Sequence, residues 1–122
     1  MGPLSQGRRA APAVRVSQGA RGLVVGLRLG ADVYEVPVSR AVGLAYLAVC
    51  DGIGAPADIR AHVAAAGATP PATDEALRRA LNRLGQAITR QAVGSRFQDF
   101  VPRQAQHRWA VAARAQVVRE LP

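Results

Sequence analysis

A chain of 122 residues fits one small domain, large enough to bury a core but not to build two. Its net charge of +8 and isoelectric point near 11.5 favour a polyanionic partner such as nucleic acid over an acidic small substrate or a neutral protein surface. A lone Cys50 excludes a disulfide framework and a cysteine-ligated zinc site, and no run reaches the roughly 18 apolar residues that a membrane span needs.

Residues 1–20 hold Gly, Pro, Gln, Ser and the arginines Arg8, Arg9 and Arg15, which reads as a flexible basic arm, although Val14 and Val16 could begin a strand. The start of the chain lacks the unbroken apolar stretch of a secretory signal, so a cytoplasmic protein with no membrane partner is expected. From Gly22 the pattern changes. Leu23, Val25, Leu27 and Leu29 alternate with Val24, Gly26 and Arg28, a period of two and hence a strand. Gly30-Ala31-Asp32 supplies a turn, and residues 33–38 read as the return strand, with Pro37 at a sheet edge or strand end because it has no amide hydrogen for the ladder.

Ser39 suits the N-cap of a helix through Val49 that is apolar nearly all round, and Gly52 ends it. A second helix opens at Pro56, carries Asp58 at its positive end, buries Ile59 and Val63, and stops at Gly67. The connector 68–72 holds Pro70 and Pro71 and cannot be helical.

The stretch from Thr73 to Arg90 then writes two surfaces onto one helix. At about 100° per residue, Leu77, Leu81, Leu84 and Ile88 form a narrow apolar stripe. The other side carries Arg78, Arg79, Asn82, Arg83, Gln86 and Arg90. Arg, Asn and Gln have the forked or bidentate geometry that matches phosphates and purine edges in a DNA major groove, which makes this a candidate recognition helix. An amphipathic helix with a solvated polar face is the alternative. All 16 basic residues are arginine, which with the abundant alanine reflects GC-rich coding as much as guanidinium chemistry.

After that helix, Gly94-Ser95 has the form of a two-residue hairpin turn between residues 90–93 and 96–101, so a basic hairpin is expected there; an irregular loop is the alternative. Pro102 opens a stretch rich in Ala, Arg and Gln, which predicts a terminal helix over 102–122, with helix and strand left open over 103–121. As a helix it would place Trp109, Ala113 and Val117 on one side and Val111 and Val118 on the other, a surface suited to a homodimer.

This order of elements resembles a winged helix-turn-helix domain, an α+β fold, and is most similar to the DNA-binding effector domain of OmpR-like response regulators. The resemblance spans about residues 22–101, with its best local match at Asp74-Glu75-Ala76-Leu77-Arg78-Arg79-Ala80-Leu81-Asn82-Arg83-Leu84. It implies a domain over 21–101 between the arm and the terminal helix, and a transcriptional regulator that binds double-stranded DNA. It puts Arg78, Arg79, Asn82, Arg83 and Gln86 in the major groove and Arg90 and Arg96 on the backbone beneath the wing. The chain departs from that family in carrying no receiver segment and no glycine- and tyrosine-bearing strand closing the wing.

An enzyme finds little support. The eight acids are scattered or at helix caps, and His62 and His107 are isolated from one another and from any acid at ligand spacing. Cys50, within an apolar helix, is expected to have a raised thiol pKa and to make a poor nucleophile. The glycines form neither a P-loop nor a dinucleotide fingerprint, so no cofactor and no metal are expected. The stronger rival is an adaptor on the same scaffold that docks on RNA polymerase, a phage assembly or a larger complex through its arginines. RNA binding by the basic arm is weaker, because aromatic residues for base stacking are few.

Overall fold

The period-two segments fold as strands and the leucine stripe as a helix. In the computed structural model, which describes residues 12–91 and 97–121, β1 (Ala13–Gln18), β2 (Leu23–Leu29) and β3 (Asp32–Val38) form an antiparallel meander. Three helices follow, α1 (Arg40–Cys50), α2 (Pro56–Ala65) and α3 (Asp74–Gln91). A short 3₁₀ turn over Gln98–Phe100 leads to a small hairpin, β4 (Arg103–Ala105) and β5 (Arg108–Ala110), and β6 (Gln116–Glu120) closes the order. The fold is thus mixed α+β, with a four-stranded sheet in the order β3-β2-β1-β6 and a separate two-stranded sheet.

Register explains the buried face of the larger sheet. Val14 lies opposite Leu27 and Val16 opposite Val25, while Val25 also faces Val36. Every second side chain therefore points at the helices, and Val14, Val16, Leu23, Val25, Leu27 and Val36 are all buried. Pro37 sits on the edge strand β3, where a missing amide hydrogen costs no ladder bond. The meander begins earlier than composition suggests. The arm expected over residues 1–20 is strand from Ala13, because Val14 and Val16 both reach the core; residues 1–11 lie outside the described part.

Ser39 caps α1 by accepting from the Val42 amide at 3.2 Å. The helix runs through the centre of the molecule, with every residue from Gly43 to Val49 buried. Gly43 lets it approach the sheet, since a Cβ there would stand 2.7 Å from Leu23 Cδ1. Its Tyr46 is fully buried and donates to the Phe100 carbonyl at 2.5 Å, tying the core helix to the chain beyond α3. In α2, Ile59 and Val63 are buried as their spacing requires. Thr73 caps α3 by accepting from the Ala76 amide at 3.0 Å, and Leu77, Leu81, Leu84 and Ile88 are all buried.

The segment after α3 departs from expectation. Arg90 and Gln91 belong to the helix, and Phe97 to Phe100 form a turn and a 3₁₀ segment, so the described flanks of the expected 90–101 hairpin are not strands. Gly94, Ser95 and Arg96 lie outside the described residues. Aromatic packing accounts for the difference. Phe97 is buried with its ring edge-on to Tyr34 at 4.8 Å and stacked on Phe100 at 5.6 Å, which fixes the segment as an anchor under the sheet.

The terminal helix is not formed either, and with it goes the helical dimer surface. Residues 103–110 make a hairpin and residues 116–120 pair in parallel with β1, Val117 opposite Val14. Local propensity loses here to ladder hydrogen bonds and to burial of Trp109. Arg119 of β6 also pairs with Asp51 at the end of α1, and Arg15 with Glu120 at 3.8 Å.

Candidate nucleic-acid interface

The apolar stripe of α3 fixes its opposite face toward solvent, and Arg78, Arg79, Asn82, Arg83, Gln86 and Arg90 are all exposed. They are not equivalent. Arg78 and Arg79 converge on Glu75, with Arg78 Nε donating to Glu75 Oε1 at 3.0 Å, Arg78 Nη2 pairing with Oε2, and Arg79 Nε reaching Oε2 at 3.4 Å. The hydrogen bond from Arg78 holds the Glu75 carboxyl below its usual range, and the carboxylate in turn raises the Arg78 guanidinium. Asn82, Arg83, Gln86 and Arg90 have no hydrogen-bonding or ionic side-chain partner among the described residues.

The β4–β5 hairpin stands beside this face. Gly85 makes the approach close, because a Cβ there would lie 3.0 Å from Val101 Cγ1 as the chain enters the hairpin. The cleft between the two elements is lined by Asn82, Gln86, Thr89 and Arg90 from α3, by Gln98, and by Arg103 and Gln104 from β4, with no carboxylate among them. A relay of hydrogen bonds crosses it. Arg103 Nη2 donates to Gln98 Oε1 at 3.1 Å, Gln98 Nε2 donates to Thr89 Oγ1 at 3.3 Å, and Thr89 donates to the Gly85 carbonyl at 2.9 Å. Guanidiniums, carboxamides and a hydroxyl lining an open cleft without an acid offer hydrogen-bond donors and positive charge to an anion.

The other end of the hairpin is tied to the helices. The Trp109 amide donates to the Gly54 carbonyl at 2.8 Å, so the link between α1 and α2 lies alongside β5. The Arg108 guanidinium rests over Gly54 and makes no ion pair among the described residues. At the tip, Gln106 and His107 have φ of 53° and 64°. Both residues therefore occupy the left-handed region that the favoured two-residue hairpin turn demands, without the Asn-Gly or Asp-Gly that usually signals it.

Structure and sequence thus agree on the helix face and differ on the hairpin. Arg78 and Arg79 are on that face but held by Glu75, Arg90 lies in the last turn of α3 rather than opening a wing, and Arg96 lies outside the described residues. Gln98, Arg103, Gln104 and Arg108 were missed because no glycine or asparagine marks their turn.

Elsewhere the chemistry is sparse. Burial pushes the Cys50 thiol up to about 12, so thiolate is scarce near neutral pH. His107 is exposed at the hairpin tip. No group of three or more His, Cys, Asp or Glu that could hold a metal ion occurs among the described residues, and no helix there is long and apolar enough to cross a membrane. Comparison with protein-family models, curated proteins and solved structures found no match for this chain.

Proposed function

We propose that this chain is a duplex-DNA-binding protein of the winged-helix type, acting in transcriptional regulation. In this reading α3 enters the major groove and the β4–β5 hairpin is the wing. The observation that carries it is the acid-free cleft between α3 and the hairpin, lined by Arg90, Arg103 and amide side chains. Such a surface suits a phosphate backbone running between the two elements. Asn82, Arg83 and Gln86 on the exposed face then meet base edges, where carboxamides match adenine and guanidinium matches guanine. Arg90, Arg103 and Arg108 neutralise phosphates, which position the protein without reading sequence. The net charge of +8 supports a polyanion as the partner.

Gel shift with mixed genomic DNA at two salt concentrations tests the proposal. Binding that is firm at low salt and falls steeply at high salt is expected. No shift at low salt, where non-specific electrostatic affinity is greatest, would reassign the arginine face to an acidic protein surface and the chain to an adaptor role.

A further inference from the structure

Glu75 lies in the first turn of α3, and at about 100° per residue it falls on the same line as Arg79, Asn82, Gln86 and Arg90. It is therefore in the middle of the polar face rather than at its margin. The other acid of the helix, Asp74, is turned toward α2, where Arg60 Nη2 holds it at 2.6 Å while Arg60 Nη1 also reaches the Ala72 carbonyl. Glu75 is thus the carboxylate that faces outward from the candidate reading surface.

Stability does not account for the arrangement. The side chains of Glu75, Arg78 and Arg79 are 48%, 46% and 65% exposed, and ion pairs so open to water contribute little to folding. Their consequence lies outside the protein. One carboxylate holds two guanidiniums, so the part of the face nearest the N-terminus of α3 presents one net positive charge instead of two and an acceptor instead of a donor. A carboxylate brought against duplex DNA is repelled by phosphates unless it meets a hydrogen-bond donor. In the major groove the exocyclic amine of cytosine is the donor that Glu accepts from, whereas carboxamides match adenine.

On the DNA-binding reading above, we infer that Glu75 is a specificity-determining residue: it withholds Arg78 and Arg79 from indiscriminate phosphate contact and itself reads the exocyclic amine of a cytosine. Sites without a cytosine at that position bring no matching donor to the carboxylate, which then faces acceptors and phosphates in the groove, and are disfavoured.

The test compares wild type, Glu75→Gln, Glu75→Ala and, as a control, Glu35→Gln, which removes an exposed acid on the outer face of the sheet. Each is titrated against a mixed-sequence duplex over a range of salt and used to select sites from a randomised duplex library. Both Glu75 variants should bind mixed sequence more tightly, by about eightfold at 0.1 M salt for each guanidinium released, with a log–log slope steeper by about 0.9 per contact. Glu75→Gln should replace one selected cytosine by adenine, and Glu75→Ala should lose the preference at that position alone. Glu35→Gln should do neither. Unchanged slope and unchanged selected site in the Glu75 variants, or a Glu35→Gln effect of the same size, overturns the inference while leaving DNA binding intact. Wild type that binds no duplex overturns the DNA-binding reading itself, and this inference with it.

Discussion

Replacing Tyr46 by Phe removes one oxygen from the middle of the molecule and nothing else. The Tyr46 ring is fully buried and its hydroxyl donates to the Phe100 carbonyl at 2.5 Å. In the variant that carbonyl stays buried without its donor, a loss of about 1–3 kcal/mol, while the apolar packing of the ring is retained. At a chain length of 122 residues, each kcal/mol moves the melting temperature by about 4 °C, so a fall of about 4–12 °C is expected. Urea unfolding should show a lower midpoint with an unchanged slope, because the surface exposed on unfolding is the same. The bond also ties α1 to the aromatic anchor of Phe97 and Phe100 that precedes the hairpin. A melting temperature within 1 °C of wild type would refute the role assigned to this contact, and a changed urea slope would show that the substitution alters more than one bond.

The two surfaces of α3 should separate in the same assays. Leu81→Ala, at a fully buried position, should cost about 2–5 kcal/mol, whereas Arg83→Ala should leave the melting temperature nearly unchanged; equal losses would contradict the division of the helix. Gly85→Ala gains about 1 kcal/mol of helix propensity but crowds Val101, so stability should stay near wild type while duplex affinity falls as the hairpin is displaced; undiminished affinity would show that the cleft width does not matter. Burial raises the Cys50 thiol from 9.0 to about 12 and pushes the Tyr46 phenol well above 10.0. Both values lie above those of the unfolded chain, so this stability is present below about pH 9 and is lost as pH rises from there toward 12. Cys50→Ala should flatten that alkaline loss in urea unfolding at stepped pH, and an unaltered pH profile would contradict the burial effect.

Much of the fold was legible because burial writes a period into the chain. The β2–β3 hairpin, the three helices, the Ser39 cap and the edge position of Pro37 all follow from alternation, stripe and turn chemistry. The rest was hidden where tertiary context decides. Gln106 and His107 adopt left-handed φ angles that neither residue advertises, so the sequence does not mark the β4–β5 hairpin, whereas Gly94-Ser95 carries the usual turn signature. Arg, Ala and Gln are good helix formers, but residues 116–120 complete a sheet whose edge β1 leaves open. On the site, spacing alone brought out the exposed face of α3. It could not show that Glu75 holds Arg78 and Arg79, nor that Arg103 reaches the same cleft through Gln98 and Thr89.

The central claim is tested most directly by fluorescence anisotropy of a labelled duplex titrated with wild type and with Arg103→Ala across a range of salt. If Arg90, Arg103 and Arg108 meet phosphates, wild type should bind with a log–log salt slope of about −3. Arg103→Ala, with Gln98 left to face the cleft without its guanidinium, should weaken every sequence alike and flatten the slope by about 1. No binding at low salt, or a slope that Arg103→Ala leaves unchanged, would contradict the assignment of α3 and the β4–β5 hairpin as a joint DNA surface.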